Sequence, residues 1–207
     1  FTVSDGSITS SAATVSITVS EVNDAPVAVN DTLVDVAEDS GDRTIAAATL
    51  TGNDTNGGGA DEAGQTRTIT TVGGAMGGTV SLVGSTITFA PTLNFNGAAS
   101  FTYTVQDNGT TNGVAAPLTN SATVSFNITA VNDLPTFTTF PADLASVLED
   151  STTGPLAIVV ADVEGQAVSL IVTTGNQALF PNANVALGGS GYNRTVTFTT
   201  ATDQNSA

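Results

Sequence analysis

Val22-Asn23-Asp24-Ala25-Pro26 returns as Val131-Asn132-Asp133-Leu134-Pro135, 109 residues further on. Each copy ends an alternating Thr/Val-rich run and precedes another. Asn-Asp-x-Pro is polar and turn-prone, and the proline ring fixes φ. The interval is about the length of one small β-domain. A stiff joint repeated between similar segments marks a tandem array. Both copies are therefore read as interdomain linkers.

Outward from these joints, short Thr/Val/Ile/Phe-rich runs with period-2 alternation are separated by Gly, Asn and Asp, and no segment sustains a 3.6-residue apolar period. The pattern predicts an all-β chain of immunoglobulin-like sandwiches. Residues 23–131 read as one complete domain. Strands are expected near 27–36, 44–51, 66–72, 78–83, 85–90, 99–106 and 119–131. Gly84-Ser85 reads as a tight hairpin turn. Asn94-Phe95-Asn96-Gly97 reads as the turn before the penultimate strand, with Phe95 plugging the core. Residues 132–207 repeat this domain without its last two strands: Thr195-Val196-Thr197-Phe198 answers Thr86-Ile87-Thr88-Phe89, and Asn205 answers Asn96. Residues 1–22 are read as those two strands, with a turn at Asp5-Gly6 and an alternating run over 13–19. An isolated hairpin is marginal in water, so this one is expected to complete another sheet.

Composition limits the chemistry. The chain has 3 Lys+Arg, all of them arginine (Arg43, Arg67, Arg194), against 19 Asp+Glu, a net charge of −16, and no Cys, His or Trp. Ser-His-Asp and Cys-His catalysis are impossible, and general acid–base work is left to carboxylates and tyrosine. A zinc site lacks its preferred ligands, and no basic patch is offered to nucleic acid. No apolar run is long enough to enter a membrane as a spanning helix. The acidity suits hard cations that take oxygen ligands. With no signal segment at Phe1, the chain reads as an internal piece of something longer.

Val-Asn-Asp-Ala-Pro after an alternating strand, with Glu21 just before it, resembles the linker of cadherin repeats. It is most similar to the cadherin-like and immunoglobulin-like repeats of large bacterial surface adhesins, including RTX-type proteins secreted by the type I route. Glu38 and Glu149 resemble the family's first-strand glutamate. Asp162-Val163-Glu164 resembles the acidic loop after the second strand, with Asp61-Glu62 at that place in the middle domain. Asp5 and Asp107 resemble the aspartate of the last hairpin. The second linker departs from the pattern, with Ala130 where Glu21 stands in the first. The Gly57-Gly58-Gly59-Ala60-Asp61 tract occurs once and is read as a flexible loop, since a β-roll needs many stacked copies.

Loops of a sandwich gather at its two ends, where the linkers lie. A first strand of this length would carry Glu38 toward Asn132 and Asp133, where Asp162 and Glu164 return. The first joint would use Asn23, Asp24, Asp61 or Glu62, and Asp107. Ca²⁺, with six to eight oxygen ligands, would turn the repulsion of such groups into a clamp. The resemblance therefore implies a structural spacer or fibre-forming repeat of an extracellular adhesin or filament, stiffened by Ca²⁺ and assembled head to tail with copies of itself. The copies would be joined by strand donation or be continuous in one chain. A host or cell-surface ligand would be met elsewhere in the parent protein. The alternative is a binding module that uses the sandwich loops, although a chain without Trp offers no sugar platform. An enzyme built on a carboxylate pair has no distinct pocket signature.

Overall fold

The computed structural model describes residues 1–143 and 146–204. Asn205, the expected counterpart of Asn96, lies outside them. The chain is nearly all β and divides into two compact units, residues 1–130 and 131–207.

In the first unit, β1 (Asp31–Thr32) and β2 (Val36–Ala37) open the domain, followed by β3 (Arg43–Ala46), the helical turn α1 (Ala47–Leu50), β4 (Thr68–Met76), β5 (Gly78–Val83), β6 (Thr86–Pro91), β7 (Gly97–Gln106), the short pair β8 (Thr110–Thr111) and β9 (Val114–Ala115), and β10 (Thr119–Thr129). One sheet runs β1-β10-β7-β4, with β2 also on β10; the other runs β3-β6-β5. β1 and β2 lie parallel to β10, and β7 is antiparallel to both of its neighbours. This is a seven-stranded Greek-key sandwich if β1 and β2 count as one interrupted strand.

The alternation seen in the sequence becomes the core. Along β7 and β10, Phe101, Tyr103, Val105, Val124, Phe126 and Ile128 point inward while their neighbours point out. They meet Ile45, Ile87 and Phe89 from the opposite sheet. Phe89 stacks on Phe101 at 6.1 Å between centroids and meets Phe126 edge-on at 5.1 Å, arrangements aromatic rings favour. Phe95 packs against this cluster from its turn and remains partly exposed.

Two strand expectations are corrected. The strand near 27–36 is broken, because side chains take over part of its pairing: Asn30 Oδ1 accepts from Thr123 N and Asp35 Oδ1 from Asn127 N. The strand near 44–51 ends at Ala46. Ala47, Ala48, Thr49 and Leu50 then coil, as alanine favours, and drive Leu50 into the core. The run over 13–19 makes no ladder in the single chain; the one bridge in residues 1–22 joins Ser4 and Thr9. β10 already has β7 on one side and β1 and β2 on the other, so that sheet offers the run no free edge beside β10.

In the second unit, β11 (Thr136–Thr139), β12 (Leu156–Ala161), β13 (Val185–Ser190) and β14 (Asn193–Phe198) form one sheet ordered β11-β12-β14-β13. The part β12-β14-β13 repeats β3-β6-β5. Ile158, Val160 and Val196 form its small core. Val168, Leu170 and Val172 face that core at alternate positions, yet residues 166–174 pair with no strand.

Replacing Phe101 by Ala should cost the first unit about 3–5 kcal/mol, the usual range for a fully buried aromatic ring. Urea unfolding followed by Tyr103 fluorescence measures it; a loss under about 1 kcal/mol would mean that the β7 face is not the core.

Candidate metal centre at the domain joint

The first linker is locked into the end of its own sandwich. Pro26 and Asn23 are buried. Asn23 Nδ2 donates to Asp107 Oδ1 at 3.1 Å and to the Ala116 carbonyl at 2.9 Å, and Asn23 Oδ1 accepts from Gln65 Nε2 at 2.7 Å. Asp24 N donates to Glu62 Oε1 at 3.1 Å, and Gln65 Nε2 also donates to Glu62 Oε2. Glu21 accepts from the Thr110 hydroxyl at 2.9 Å. Glu62 and Asp107 are 1% and 4% exposed, and among the described residues neither has an ion-pair partner.

Two glycines make this approach possible. A Cβ at Gly109 would stand 1.6 Å from Asn23 Oδ1. A Cβ at Gly58 would stand 2.6 Å from Glu62 Cγ and 2.7 Å from Asp24 Oδ2, and Gly58 has φ +40°. The glycine tract is thus a packed wall of the joint, in place of the flexible loop expected. It leads into a 3-10 turn, Ala60–Gly64, that turns Glu62 inward and leaves Asp61 exposed. Asn56 ties the loop down by donating to the Glu62 and Gln65 carbonyls, and it accepts from Arg67.

The second linker repeats one element of this lock. Asp133 N donates to Glu164 Oε2 at 3.2 Å, as Asp24 N does to Glu62. Asp162 spends its Oδ1 on Gln166 N at 2.8 Å, closing its own turn. Asn132 is exposed, its amide donating to the carbonyl of Asp133. The partners that bury Asn23, Asp107 and Ala116, have no counterpart within residues 132–207. Glu38 is buried in the first unit, its N–H donating to the Thr129 carbonyl at 2.9 Å, at the end of the strand that runs into the second linker.

Gln65 was not singled out from the sequence. A signal was there: Glu62-Ala63-Gly64-Gln65 is answered by Glu164-Gly165-Gln166. A second polar cluster was also missed. Tyr103 donates to Asp54, its hydroxyl 3.1 and 3.2 Å from the two carboxylate oxygens and close to the Val29 and Leu50 carbonyls. Asp54 also accepts from Val29 N at 2.8 Å. Burial, with the charges of Asp54 and Asp31, pushes the Tyr103 phenol far above its ordinary range, so it stays a donor. Burial is also the largest influence raising Asp31; Asp54 adds to it, and hydrogen bonds from Tyr103 and Asn53 oppose it.

The joint offers hard oxygen donors in the right chemistry for Ca²⁺. Asp107 Oδ2 is buried without a hydrogen-bond partner, as is Glu164 Oε1 at the second joint. An unsatisfied buried carboxylate oxygen is costly, and a cation would relieve it. Among the described residues no three acidic side chains are gathered as a ready-made cluster; N–H donors hold Glu62 and Asp107 instead. Asn23, Asp24, Glu62 and Asp107 are the residues that would hold an ion at the first joint.

A sandwich with Greek-key order and a polar lock on an Asn-Asp-x-Pro linker defines a cadherin-like module. The chain belongs to the cadherin-like domain family, which it matches over residues 22–129. Domains of this family are typically extracellular, non-enzymatic modules of adhesion or structure, and they commonly bind Ca²⁺. Among the described residues no helix is long and apolar enough to cross a membrane. No curated protein matches the chain. Among solved structures, it is similar to the endo-fucoidan hydrolase MfFcnA4 from glycoside hydrolase family 107 and to a variant of that enzyme. Identity is 14% in both, TM-scores are 0.34 and 0.32, and 86% and 88% of this chain is covered. The chain spans about a quarter of each enzyme, 25% and 27%.

Two predictions follow from this geometry. Gly58→Ala should destabilise the first unit by about 1–3 kcal/mol, because the new methyl has only Asp24 and Glu62 to displace; chemical denaturation reads the loss, and a neutral result would detach the glycine tract from the joint. Asp31→Asn should raise the melting temperature at neutral pH. A carboxyl whose folded pKa is raised opposes folding once it ionises, and that cost is absent below its unfolded value of about 3.8. The gain should therefore shrink as pH falls toward 3, and a gap between variant and parent that is independent of pH would contradict it.

Proposed function

We propose that this chain is a structural spacer or fibre-forming repeat of an extracellular bacterial adhesin or filament, with Ca²⁺ stiffening its joints. The observation that carries the reading is the repeated lock in which a linker aspartate N–H is held by a loop glutamate, buried Glu62 at 3.1 Å in one joint and half-buried Glu164 at 3.2 Å in the other. A linker fixed this way cannot swing freely, because its first peptide is part of the domain end. The short Pro-stiffened joint, the acidity and the absence of His and Cys all suit a spacer. Bound Ca²⁺ would supply positive charge to Asp107 Oδ2 and Glu164 Oε1, buried oxygens without a hydrogen-bond partner. Asn23, Asp24, Glu62 and Asp107 would hold it at the first joint; Asp133 and Glu164, with Asp162, would do so at the second.

Thermal melting in Ca²⁺ and in chelator tests this. A ligand that binds only the folded form at 100 times its Kd adds about 2.7 kcal/mol, which moves the midpoint by several degrees. Asp107→Ala should remove most of the Ca²⁺-induced shift of the first unit, whatever it does to the midpoint in chelator. Asp143→Ala, outside either lock, should leave the shift intact. Superimposable curves in calcium and chelator would reject the calcium joint.

A further inference from the structure

The chain carries four Asn-Gly pairs, at 56–57, 96–97, 108–109 and 112–113. In such a pair the glycine nitrogen can attack the asparagine side-chain carbonyl, and glycine has no Cβ to stand in the way. Attack needs a free side chain and a free glycine N–H, and three of the pairs are denied them. The Asn56 amide donates to the Glu62 and Gln65 carbonyls at 2.6 and 3.2 Å and accepts from Arg67, while a Cβ at Gly57 would stand 2.2 Å from the Ala25 carbonyl oxygen. Asn108 Oδ1 accepts from Thr66 N at 2.7 Å, and Gly109 N is spent on Asp107 Oδ1 at 3.0 Å. Gly97 stands in register with buried Ile128 in the β7–β10 ladder, which opens only with the core.

Asn112-Gly113 is different. It is the two-residue loop between β8 and β9, with φ of +51° and +75°, the pattern of a type I′ turn. Both residues are exposed, and neither the Asn112 side chain nor the Gly113 N–H has a hydrogen-bond partner among the described residues. A Cβ at Gly113 would meet nothing within 4 Å beyond its chain neighbours. The hairpin is held by Thr110 with Ala115 and Thr111 with Val114. So short a ladder opens easily, and opening lets Asn112 swing its Cγ over Gly113 N. The same loop grips the first linker. Asn112 N donates to the Glu21 carbonyl at 3.2 Å, the Thr110 hydroxyl to Glu21 Oε1 at 2.9 Å, and Asn23 N to Thr111 Oγ1 at 3.1 Å.

We propose that Asn112 is a site of spontaneous covalent modification whose product loosens the grip on the linker. Gly113 N forms a bond to Asn112 Cγ, the side-chain nitrogen leaves with the displaced proton as ammonia, and a five-membered imide remains. Water then adds to one of the two imide carbonyls and that C–N bond breaks, giving aspartate or isoaspartate. Nothing is oxidised or reduced, and solvent is the only co-reactant. Both products place a carboxylate on the loop that holds Glu21, in a chain already at net charge −16, and like charges repel. Isoaspartate also adds a methylene to the main chain, which the two-residue turn does not accommodate. The contacts of Asn112, Thr110 and Thr111 with the linker then weaken together, and Asn23 N loses its acceptor. No step uses a metal, so the proposal does not rest on the calcium reading and is tested in chelator.

The test holds the native chain in warm, mildly alkaline buffer with chelator and follows each Asn-Gly pair by peptide mapping and mass spectrometry. Asn112 should convert first, to a mixture of aspartate and isoaspartate, roughly tenfold or more faster than Asn56 or Asn108, whose loops open far less often. In urea, where only local sequence acts, the four rates should converge. Conversion of Asn112 no faster than that of Asn56 and Asn108 in the native chain, or a gap that persists in urea, would overturn the proposal. The second readout is hydrogen exchange at the Asn23 amide, followed by NMR in the converted chain after its separation by ion exchange. Exchange should be roughly three- to tenfold faster than in the parent, the worth of one ordinary hydrogen bond, while the Phe101 amide in the core is unchanged. Asn112→Ser cannot form the imide and should keep its own starting rate at Asn23 through the same incubation. Equal exchange at Asn23 in converted and unconverted chains, or an equal acceleration in Asn112→Ser, would overturn the link to the linker and with it the proposal.

Discussion

A buried carboxylate must be given donors, and the head of the first unit is built around two of them. Glu62 and Asp107 have no cationic partner among the described residues, and Arg67 reaches the Glu62 loop only through Asn56. Their stabilisation comes from the Asp24, Gly109 and Leu118 N–H groups and from the Asn23 and Gln65 amides. Together the donors tie three stretches of chain: the linker, the loop after α1, and the connection between β7 and β10. Charge-assisted bonds of this kind are stronger than neutral ones, and removing one leaves a buried carboxylate with fewer donors. The linker is therefore an ordered part of the sandwich end.

The closing strands matter for a similar reason. β7 and β10 together supply most of the large inward side chains of the first unit, and β7 alone gives β4 its pairing. Where these two strands are lacking, the second unit keeps β12-β14-β13 and an extended run that faces the core without a ladder. Backbone groups outside a ladder must turn to water. The same sequence pattern thus yields a strand in one unit and an unpaired run in the other, and the difference lies in the partner available. The contrast between Asn23 and Asn132 has the same origin: the identical residue is buried where the last turn is present and exposed where it is not.

Much of the fold was legible. Period-2 alternation placed β5, β6, β7 and β10 to within two residues and named the buried faces of β7 and β10. It failed where local chemistry competes with pattern. Ala47 and Ala48 extend the alternation of β3 on paper, but their helix propensity bends the chain. Asn30 and Asp35 substitute side-chain oxygens for main-chain pairing, which no periodicity detects. At the joint, acidic loop positions were visible but their roles were not. Of the adjacent Asp61 and Glu62, only Glu62 turns inward, a choice made by the 3-10 turn and by the space left at Gly58. Gln65 escaped because an amide carries no charge, although it bridges Asn23 to Glu62.

Repetition carried what single residues could not. Asp24 and Asp133, or Glu62 and Glu164, are each unremarkable in a polar loop. The same linker N–H held by the same loop carboxylate in two units is harder to ascribe to chance, since the first unit carries an insertion, α1 and the glycine tract, between β3 and Glu62, whereas β12 runs almost directly to Glu164. The insertion is accommodated because Gly57 and Gly58 let the extra chain lie directly on Ala25 and Asp24. An added loop that returns its glutamate to the same linker N–H points to the lock as the constraint and to the loop length as free. That ordering explains why the acidic residue next to the linker is the feature to follow from one repeat to the next, and why the glycines beside it are as much a part of the joint as the carboxylates.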